Sequence, residues 1–418
     1  MAQLSDDCFA FGGAMLPVDE ASRLMAQHVP PVAETERVSL IDTLGRVVSR
    51  DVVAAVALPP FDNSAVDGYA VRYTDLAASG ETRLRLTGRL QAGSRAAQTV
   101  GAGEAIRIFT GAPMPGGADT VFMQEDVRIE DETLIVPAGL KKGANSRLSG
   151  EDLQKGAVAL RAGRRIGPQD IALAAAIGLT EIEVRRRPRV AVFSTGDEIV
   201  APGEPLSPAT LYDANRFLLI ALLREAGADA HDLGIVKDDP KLLASAIEAA
   251  ATDHDLILTS GGVSTGEADH VKAAVESIGK LVFWRLAIKP GRPVAMGVVK
   301  GAAFAGLPGN PVAVFVTFVH VVRPLLMRLA GANVAPVTAL PVRAAFRYRK
   351  KKGRREYVRV GLRRAADGEI EAIKHPQDGA GILTSLTETD GLAELVEDRV
   401  EVEPGSTVGF LSYAALVG

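Results

Sequence analysis

The residues best suited to chemistry in this chain lie in one stretch, DLILTSGGVSTGEADH, from Asp255 to His270. Asp255 to Thr259 is a short apolar run ending in small residues, the pattern of a buried parallel strand. Ser260, Gly261 and Gly262 then allow a sharp turn. A loop rich in Gly, Ser and Thr, with Ser264 in it, leads to a helix expected from about Asp269 to Ile278. A strand, a glycine loop and a helix N-terminus present unobstructed backbone N–H groups, which suits an anion or a phosphate. The carboxylates of Glu267 and Asp269 would repel a bare phosphate unless a divalent cation lay between them. The stretch therefore fits a phosphorylated ligand held with Mg²⁺. A glycine-rich turn with an acidic helix cap accounts for the same residues equally well.

The surrounding sequence alternates strand and helix patterns, which is what would carry such a loop. The strand RVAVFST (Arg189 to Thr195) ends in Gly196-Asp197-Glu198, and a helix follows from about Ala214 to Glu225. A second strand, Ala230 to Val236, ends at Lys237-Asp238-Asp239-Pro240, with a helix from Lys241 to Ala251 after it. This order implies an α/β fold, a doubly wound, mostly parallel sheet whose ligands bind beyond the strand C-termini. Asp197, Glu198, Asp238, Glu267 and Asp269 all fall in loops at that edge. Two further loops join them. Leu281 to Gly297 is read as a strand followed by the rigid turn Lys289-Pro290-Gly291-Arg292-Pro293, which presents cations. Phe304 to Val314 is a strand, a Pro-Gly loop and a helix with Asn310 as its cap and Pro311 at its first position. That helix is expected to run to about Leu329 with a kink near Pro324. Carboxylates for a metal, Lys289 and Arg292 for phosphate, and helix-end amides would converge on one crevice. Charge placed only for solubility would not need to cluster at strand ends.

The flanks are of other kinds. LPPFDNSAVDGYAVR (Leu58 to Arg72) is a turn-rich loop that would hold Asp67 in a fixed place, or a plain surface hairpin. Short alternating segments from Thr82 to Glu125 predict a small β-domain. Within it RIFTGAPMPGGADTV (Arg107 to Val121) ends a strand at Thr110-Gly111, and Asn145 to Asp152 closes the region with a basic and an acidic residue in one loop. After Asn333 the chain turns β-rich, with strands expected over Val337–Tyr348, Arg355–Arg363, Glu369–Lys374 and Ser406–Ser412 in a small barrel or sandwich. The joint from Arg347 to Arg355 carries seven basic residues in nine, either a solvated hairpin turning at Gly353 or a positive flap over an anionic ligand.

Composition excludes several classes. A chain of 418 residues suggests roughly three domains. Its 47% hydrophobic and 23% charged residues are ordinary for a soluble protein. A net charge of −4 leaves no global basic field for nucleic acid. One cysteine rules out an internal disulfide and a cysteine-based zinc cage, and the six histidines lack metal-site spacing. No GxxxxGK[ST] loop is present, and Gly101-Ala102-Gly103 lacks the third glycine of the dinucleotide pattern. The longest apolar candidate, Val312 to Val322, falls short of a membrane span, and Asp6 and Asp7 stand where a signal peptide needs positive charge. A cytoplasmic protein with no membrane or nucleic-acid partner is the expectation.

Seven motifs, PFDNSAVDGYAVR, RIFTGAPMPGGADTV, FSTGDE, DDP, TSGGVSTGEAD, KPGRP and GLPGNP, occur in this order. Together they resemble the molybdopterin molybdenumtransferase family (MoeA), related to the C-terminal domain of gephyrin, over about residues 15 to 412. The resemblance implies insertion of molybdate into adenylated molybdopterin with release of AMP, and a need for Mg²⁺. It implies an elongated homodimer whose active crevice is completed by the partner subunit, with a molybdopterin adenylyltransferase as a candidate protein partner. Residues 15–57 and 153–185 would form an N-terminal dimerisation domain, 58–152 an inserted β-rich domain, 186–333 the α/β molybdopterin-binding domain and 334–418 a C-terminal β-barrel. The resemblance matches Asp67, Thr110, Asp152, Glu198, Asp238, Asp269, Lys289, Pro308 and Pro311 position by position; the roles are our own assignment, with Asp67, Thr110, Asp152, Glu198 and Lys289 as catalytic residues and Asp238 and Asp269 as metal ligands. Substrate would be held by Ser260, Gly261, Gly262, Ser264, Arg285, Arg292, Pro308, Gly309 and Pro311. Arg285 stands where relatives commonly have Lys, exchanging an ammonium for a planar fork, and Ala380 stands where they often have Ser. An adenylyltransferase acting on the same pterin, and a gephyrin-like scaffold, are the competing readings.

Overall fold

In the segment RVAVFST successive side chains point to opposite faces of a strand, and every one of them from Val190 to Thr195 is buried. Such a strand must be covered on both sides. The computed structural model, which describes residues 4, 15–94, 98–262, 270–333 and 335–418 (the side chains of 282–284 excepted), shows how. Val190 and Val192 pack with Leu219, Leu222 and Leu223 of the helix Asn215–Glu225. Ala191 and Phe193 pack with Leu243 and Ile247 of the helix Pro240–Ala250 and with Val271, Ala274 and Val275 of the helix His270–Ile278. Phe193 and Phe304, both fully buried, each contribute about 2–3 kcal/mol of apolar burial to this second layer.

The sheet runs in the order Asp229–Val236, Arg189–Thr195, Leu256–Ser260, Ala302–Leu307, Pro293–Val299, Lys280–Arg285. The first four strands are mutually parallel, and Pro293–Val299 is antiparallel to both its neighbours. The strand and turn expected over Leu281–Gly297 are followed by a second strand, Pro293–Val299, that was not expected, so the KPGRP turn joins two antiparallel strands. The reversal brings that turn to the same edge as the C-terminal ends of the other five. Direction along the chain reverses between Arg189–Thr195 and Leu256–Ser260, and this switch point is where an α/β sheet opens a crevice.

Residues 58–152 leave and rejoin a small unit in which Thr35–Ser39 pairs with Glu181–Arg185 and Val52–Val53 with Val158–Leu160. They carry a curled six-stranded sheet with Gly68–Val71 between Thr120–Met123 and Glu104–Ile108. At the other end of the chain five strands close a barrel: Leu340–Ala344, Ile370–Lys374, Arg355–Arg364, Gly391–Leu395 and Thr407–Ser412. Gly391–Leu395 was not among the expected strands. Its Gly-Leu-Ala-Glu-Leu sequence has no β-branched residue, and only the burial of Ala393 and Leu395 inside the barrel, and of Leu392 on the opposite face against the α/β core, makes it a strand.

The helical run Pro311–Leu329 is apolar enough, and at 19 residues long enough, to cross a membrane, which the sequence reading had denied. Its mean hydropathy of 1.7 has a different origin, since 78% of the window is buried inside the protein. A π-helical turn, Phe318–Val322, stands immediately before Arg323-Pro324, where a kink is expected. It carries His320, which stacks on Tyr357 with ring centroids 4.1 Å apart and whose Nε2 is enclosed without a partner. Burial, with Arg355 nearby, pushes His320 from the ordinary 6.5 down to about 3. A histidine depressed in the fold is protonated first in the unfolded chain, so stability falls as pH drops below 6.5. Between pH 7 and 5 the native chain is expected to lose about 2 kcal/mol through this group. His320→Phe should flatten that part of the pH-dependence in urea unfolding.

Candidate active site

At the switch point the strand Arg189–Thr195 ends in a buried Thr195, whose hydroxyl lies 3.5 Å from Oδ1 of half-buried Asp238. The two aspartates of DDP have separate tasks. Asp239 caps the helix Pro240–Ala250, accepting from the amides of Lys241 and Leu242 at 2.9 and 3.0 Å. Asp238 is left facing the rim. Beside it the exposed carboxylate of Glu198 folds back over Gly196. Gly261 follows the buried Ser260 with φ +90°, and a Cβ there would come within 2.5 Å of the Thr195 carbonyl, so the two strand ends approach this closely only with glycine. Ser260 accepts from Nδ2 of Asn215 at 2.9 Å, and the same nitrogen donates to the Gly309 carbonyl at 2.7 Å. Gly262 closes the described part of this loop; Ser264, Glu267 and Asp269 lie outside the described residues.

The far half of the rim is built from the KPGRP and LPGNP turns. Gly291, at φ +102°, lies against the helix Pro311–Thr317, where a Cβ would strike the Thr317 hydroxyl at 2.4 Å. The Lys289–Pro290 peptide is cis. Lys289 donates to the Tyr348 hydroxyl at 3.1 Å and to Glu356 Oε2 at 3.3 Å, both on the barrel. Arg285 and Arg292 are exposed at the ends of adjacent strands. Asn310 occupies the helix cap position without a side-chain bond. The Val312 amide is instead met by the Ala380 carbonyl at 3.0 Å, so a barrel loop closes this helix end. A cavity of about 330 Å³ results, lined by Lys289, Pro308, Asn310, Tyr348, Arg359 and Ala380 among others. Gly309 and Pro311 flank Asn310 on the same turn.

A third cluster sits on the curled sheet. Asp67 Oδ1 accepts from the Thr110 amide at 2.8 Å and from its hydroxyl at 2.7 Å. These bonds, aided by the charge of Arg107, hold the Asp67 carboxyl below the usual carboxylate range. Thr110→Val removes one donor and keeps the amide. The Asp67 titration followed by carbon-13 NMR should then move up toward the ordinary range, and an unmoved midpoint would show that the hydroxyl plays no part. Asp152 is exposed on the neighbouring loop, its amide bonded to Leu58 O at 3.1 Å. Among the described residues no hydrogen bond or ion pair joins residues 58–152 to residues 186–418.

The rim runs from Thr195, Glu198 and Asp238 through Ser260, Gly261 and Pro308, where the Gly261 amide donates to the Leu307 carbonyl at 3.2 Å, to Lys289 at its far end. Its two ends do not meet at one point. Asp238 follows the first strand of the sheet and Lys289 the last, and five strand spacings place them on the order of 20 Å apart. Only an elongated ligand could touch both.

Three family descriptions match the chain in order: "MoeA N-terminal region (domain I and II)" over residues 16–178, "Probable molybdopterin binding domain" over 191–328 and "MoeA C-terminal region (domain IV)" over 341–413. The chain is 37% identical over 406 residues to a protein of Haemophilus influenzae named molybdopterin molybdenumtransferase, covering 97% of this chain and 100% of that one. The chain belongs to the molybdopterin molybdenumtransferase family. A member from Nostoc sp. is 36% identical over 406 residues, covering 94% of this chain and 93% of its own. The solved molybdopterin biosynthesis moeA protein of Pyrococcus horikoshii superposes with a TM-score of 0.80 at 29% identity, covering 96% of this chain and 100% of that one.

Within this molybdopterin molybdenumtransferase fold, four residues that line or shape the rim escaped the sequence reading. Asn215 ties two loops together, and its Oδ1 is enclosed without a partner. Its signal is the Asx residue opening a helix just after the short strand Leu211–Tyr212. Arg359 is buried in a strand and orders the barrel loop, donating to Ser385 Oγ, Gln377 O and Gly379 O at 3.0–3.1 Å. An arginine within an apolar strand run is a visible signal. Tyr348 and Glu356 carried none, because their partner is 59 and 67 residues away in sequence.

Proposed function

We propose that this protein is a molybdopterin molybdenumtransferase of molybdenum cofactor biosynthesis, acting in the cytoplasm on adenylated molybdopterin and molybdate and releasing AMP. The observation that carries the reading is end-to-end likeness to relatives of that name, joined to a rim long enough for a ligand with a nucleotide at one end and a pterin at the other. Breaking the phosphoanhydride leaves little covalent work for protein groups. What is needed is compensation of charge on the departing AMP. Lys289 and Arg292, with Arg285, supply positive charge, and the turn offers the backbone amide of Gly262.

Mg²⁺ suits the acidic end. Asp238 is half-buried, and its recorded partner among the described residues is one hydroxyl at 3.5 Å, which leaves its oxygens able to take a cation. Mg²⁺ is ordinarily held by one or two carboxylates and the substrate's phosphates, so Asp238 with Asp269 is a sufficient donor set. When bound it would neutralise phosphate charge. Asp67, oriented by Thr110, has no hydrogen bond or ion pair to the rim of its own chain among the described residues, and we assign it with Asp152 to the rim of a second subunit in a homodimer, near the dithiolene and molybdate. The test is direct. Pure protein with adenylated molybdopterin, molybdate and Mg²⁺ should release AMP, followed by chromatography. Failure to do so, together with formation of adenylated pterin from ATP and molybdopterin, would replace this reading with an adenylyltransferase.

A further inference from the structure

We propose that Glu356 and Tyr348, both on the C-terminal barrel, are positioning residues that hold the Lys289 ammonium at the mouth of the 330 Å³ cavity. This rests on the molybdenumtransferase reading for its catalytic consequence. The three groups form a closed triangle: Lys289 Nζ to Tyr348 Oη 3.1 Å, Tyr348 Oη to Glu356 Oε2 2.8 Å, Lys289 Nζ to Glu356 Oε2 3.3 Å. Glu356 is 1% exposed, and a buried carboxylate must have its lone pairs filled. Tyr348 and Lys289 fill one oxygen, and Arg354 Nε donates to the other at 2.8 Å. An ammonium has three N–H donors, so two are committed to the barrel and one is left for a ligand in the cavity that Lys289 lines. A lysine on a flexible stem is otherwise a mobile charge, and fixing it before the ligand arrives is what makes it effective toward developing negative charge.

The backbone makes the same connection. Ile288–Lys289 pairs in parallel with Arg355–Glu356, and the Arg355 amide donates to Ala287 O at 2.8 Å. This gives the basic hairpin at 347–355 a purpose other than a positive flap. Six of its seven cations are already engaged within the protein: Arg347 with Glu403, Arg349 with Glu401, Lys352 with Asp398, Arg354 with Glu356, Arg355 with Glu397, and Lys350 with two backbone carbonyls. With five of its seven cations paired to carboxylates, the hairpin serves as the frame that presents Tyr348 and Glu356 to Lys289.

Two measurements on the full-length protein test this. In competitive acetylation read by mass spectrometry, labelling of Lys289 should rise roughly three- to tenfold in Glu356→Gln and in Tyr348→Phe, since each frees the ammonium. Labelling of Lys300, paired with Glu248 elsewhere, should not change. In AMP release, Glu356→Gln should lower kcat about tenfold, yet cost nothing further in a Lys289→Met background, because the two act as one unit. Glu356→Asp should restore part of the loss. Should Glu356→Gln fail to fold, Tyr348→Phe, which removes a single hydroxyl, decides by its Lys289 labelling. Unchanged labelling, or fully additive losses in the cycle, would overturn the proposal. A wild-type protein that releases no AMP would instead sink the functional reading, and the labelling result would still stand or fall alone.

Discussion

Asp238→Asn should lower Mg²⁺-dependent AMP release by roughly a hundredfold, the scale of losing one electrostatic contributor to a charged transition state. It should do so with little change in melting temperature, because Asp238 caps no helix and forms no ion pair among the described residues. The adjacent Asp239→Ala reverses the pattern. It removes an acceptor from the Lys241 and Leu242 amides and costs about 1 kcal/mol of stability, with AMP release within about twofold of wild type. The pair would separate the carboxylate proposed to face the metal from a capping one on neighbouring residues. On the sequence pattern, Asp269→Asn should behave like Asp238→Asn. Raising Mg²⁺ should partly rescue both, and equal activity of Asp238→Asn and wild type at limiting Mg²⁺ would remove Asp238 from the metal site.

Mixing two weakened variants should restore activity. Asp67→Asn and Asp238→Asn should each be about a hundredfold down as homodimers, by the same electrostatic scale. If Asp67 serves the rim of the partner subunit, a heterodimer of the two variants contains one site with both residues intact and one with both changed. After subunit exchange, half the dimers are mixed, so activity should recover to roughly a quarter of wild type. Were Asp67 and Asp238 to act within one chain, every site would carry one lesion and nothing would return. The expectation stems from the absence, among the described residues, of any hydrogen bond or ion pair between residues 58–152 and the α/β rim.

The sequence alone determined the elements of the α/β sheet other than the strand Pro293–Val299, the edge at which its loops gather, and the residues that those loops contain. These follow from local patterns: apolar runs, a proline at a first helical position, and glycines where no side chain fits. Asp67 and Thr110 met as neighbours because Asp67 leads into one strand of the small sheet and Thr110 follows the end of its antiparallel neighbour. Tertiary structure decided how the charges are distributed. Strand order is set by which faces bury which helices, and it spread Asp238 and Lys289 along the rim rather than drawing them to one point. The strand Gly391–Leu395 exists because a closed barrel needs a partner for both Arg355–Arg364 and Thr407–Ser412. Glu356 received its task in the same way. A carboxylate in a basic hairpin looks like an ordinary surface charge until the barrel docks against the Lys289 turn, buries it and leaves three donors pointing at its oxygens. Residues adjacent in sequence carry their neighbours' signals in their own spacing, whereas contacts made across many tens of residues depend on packing that no local period records.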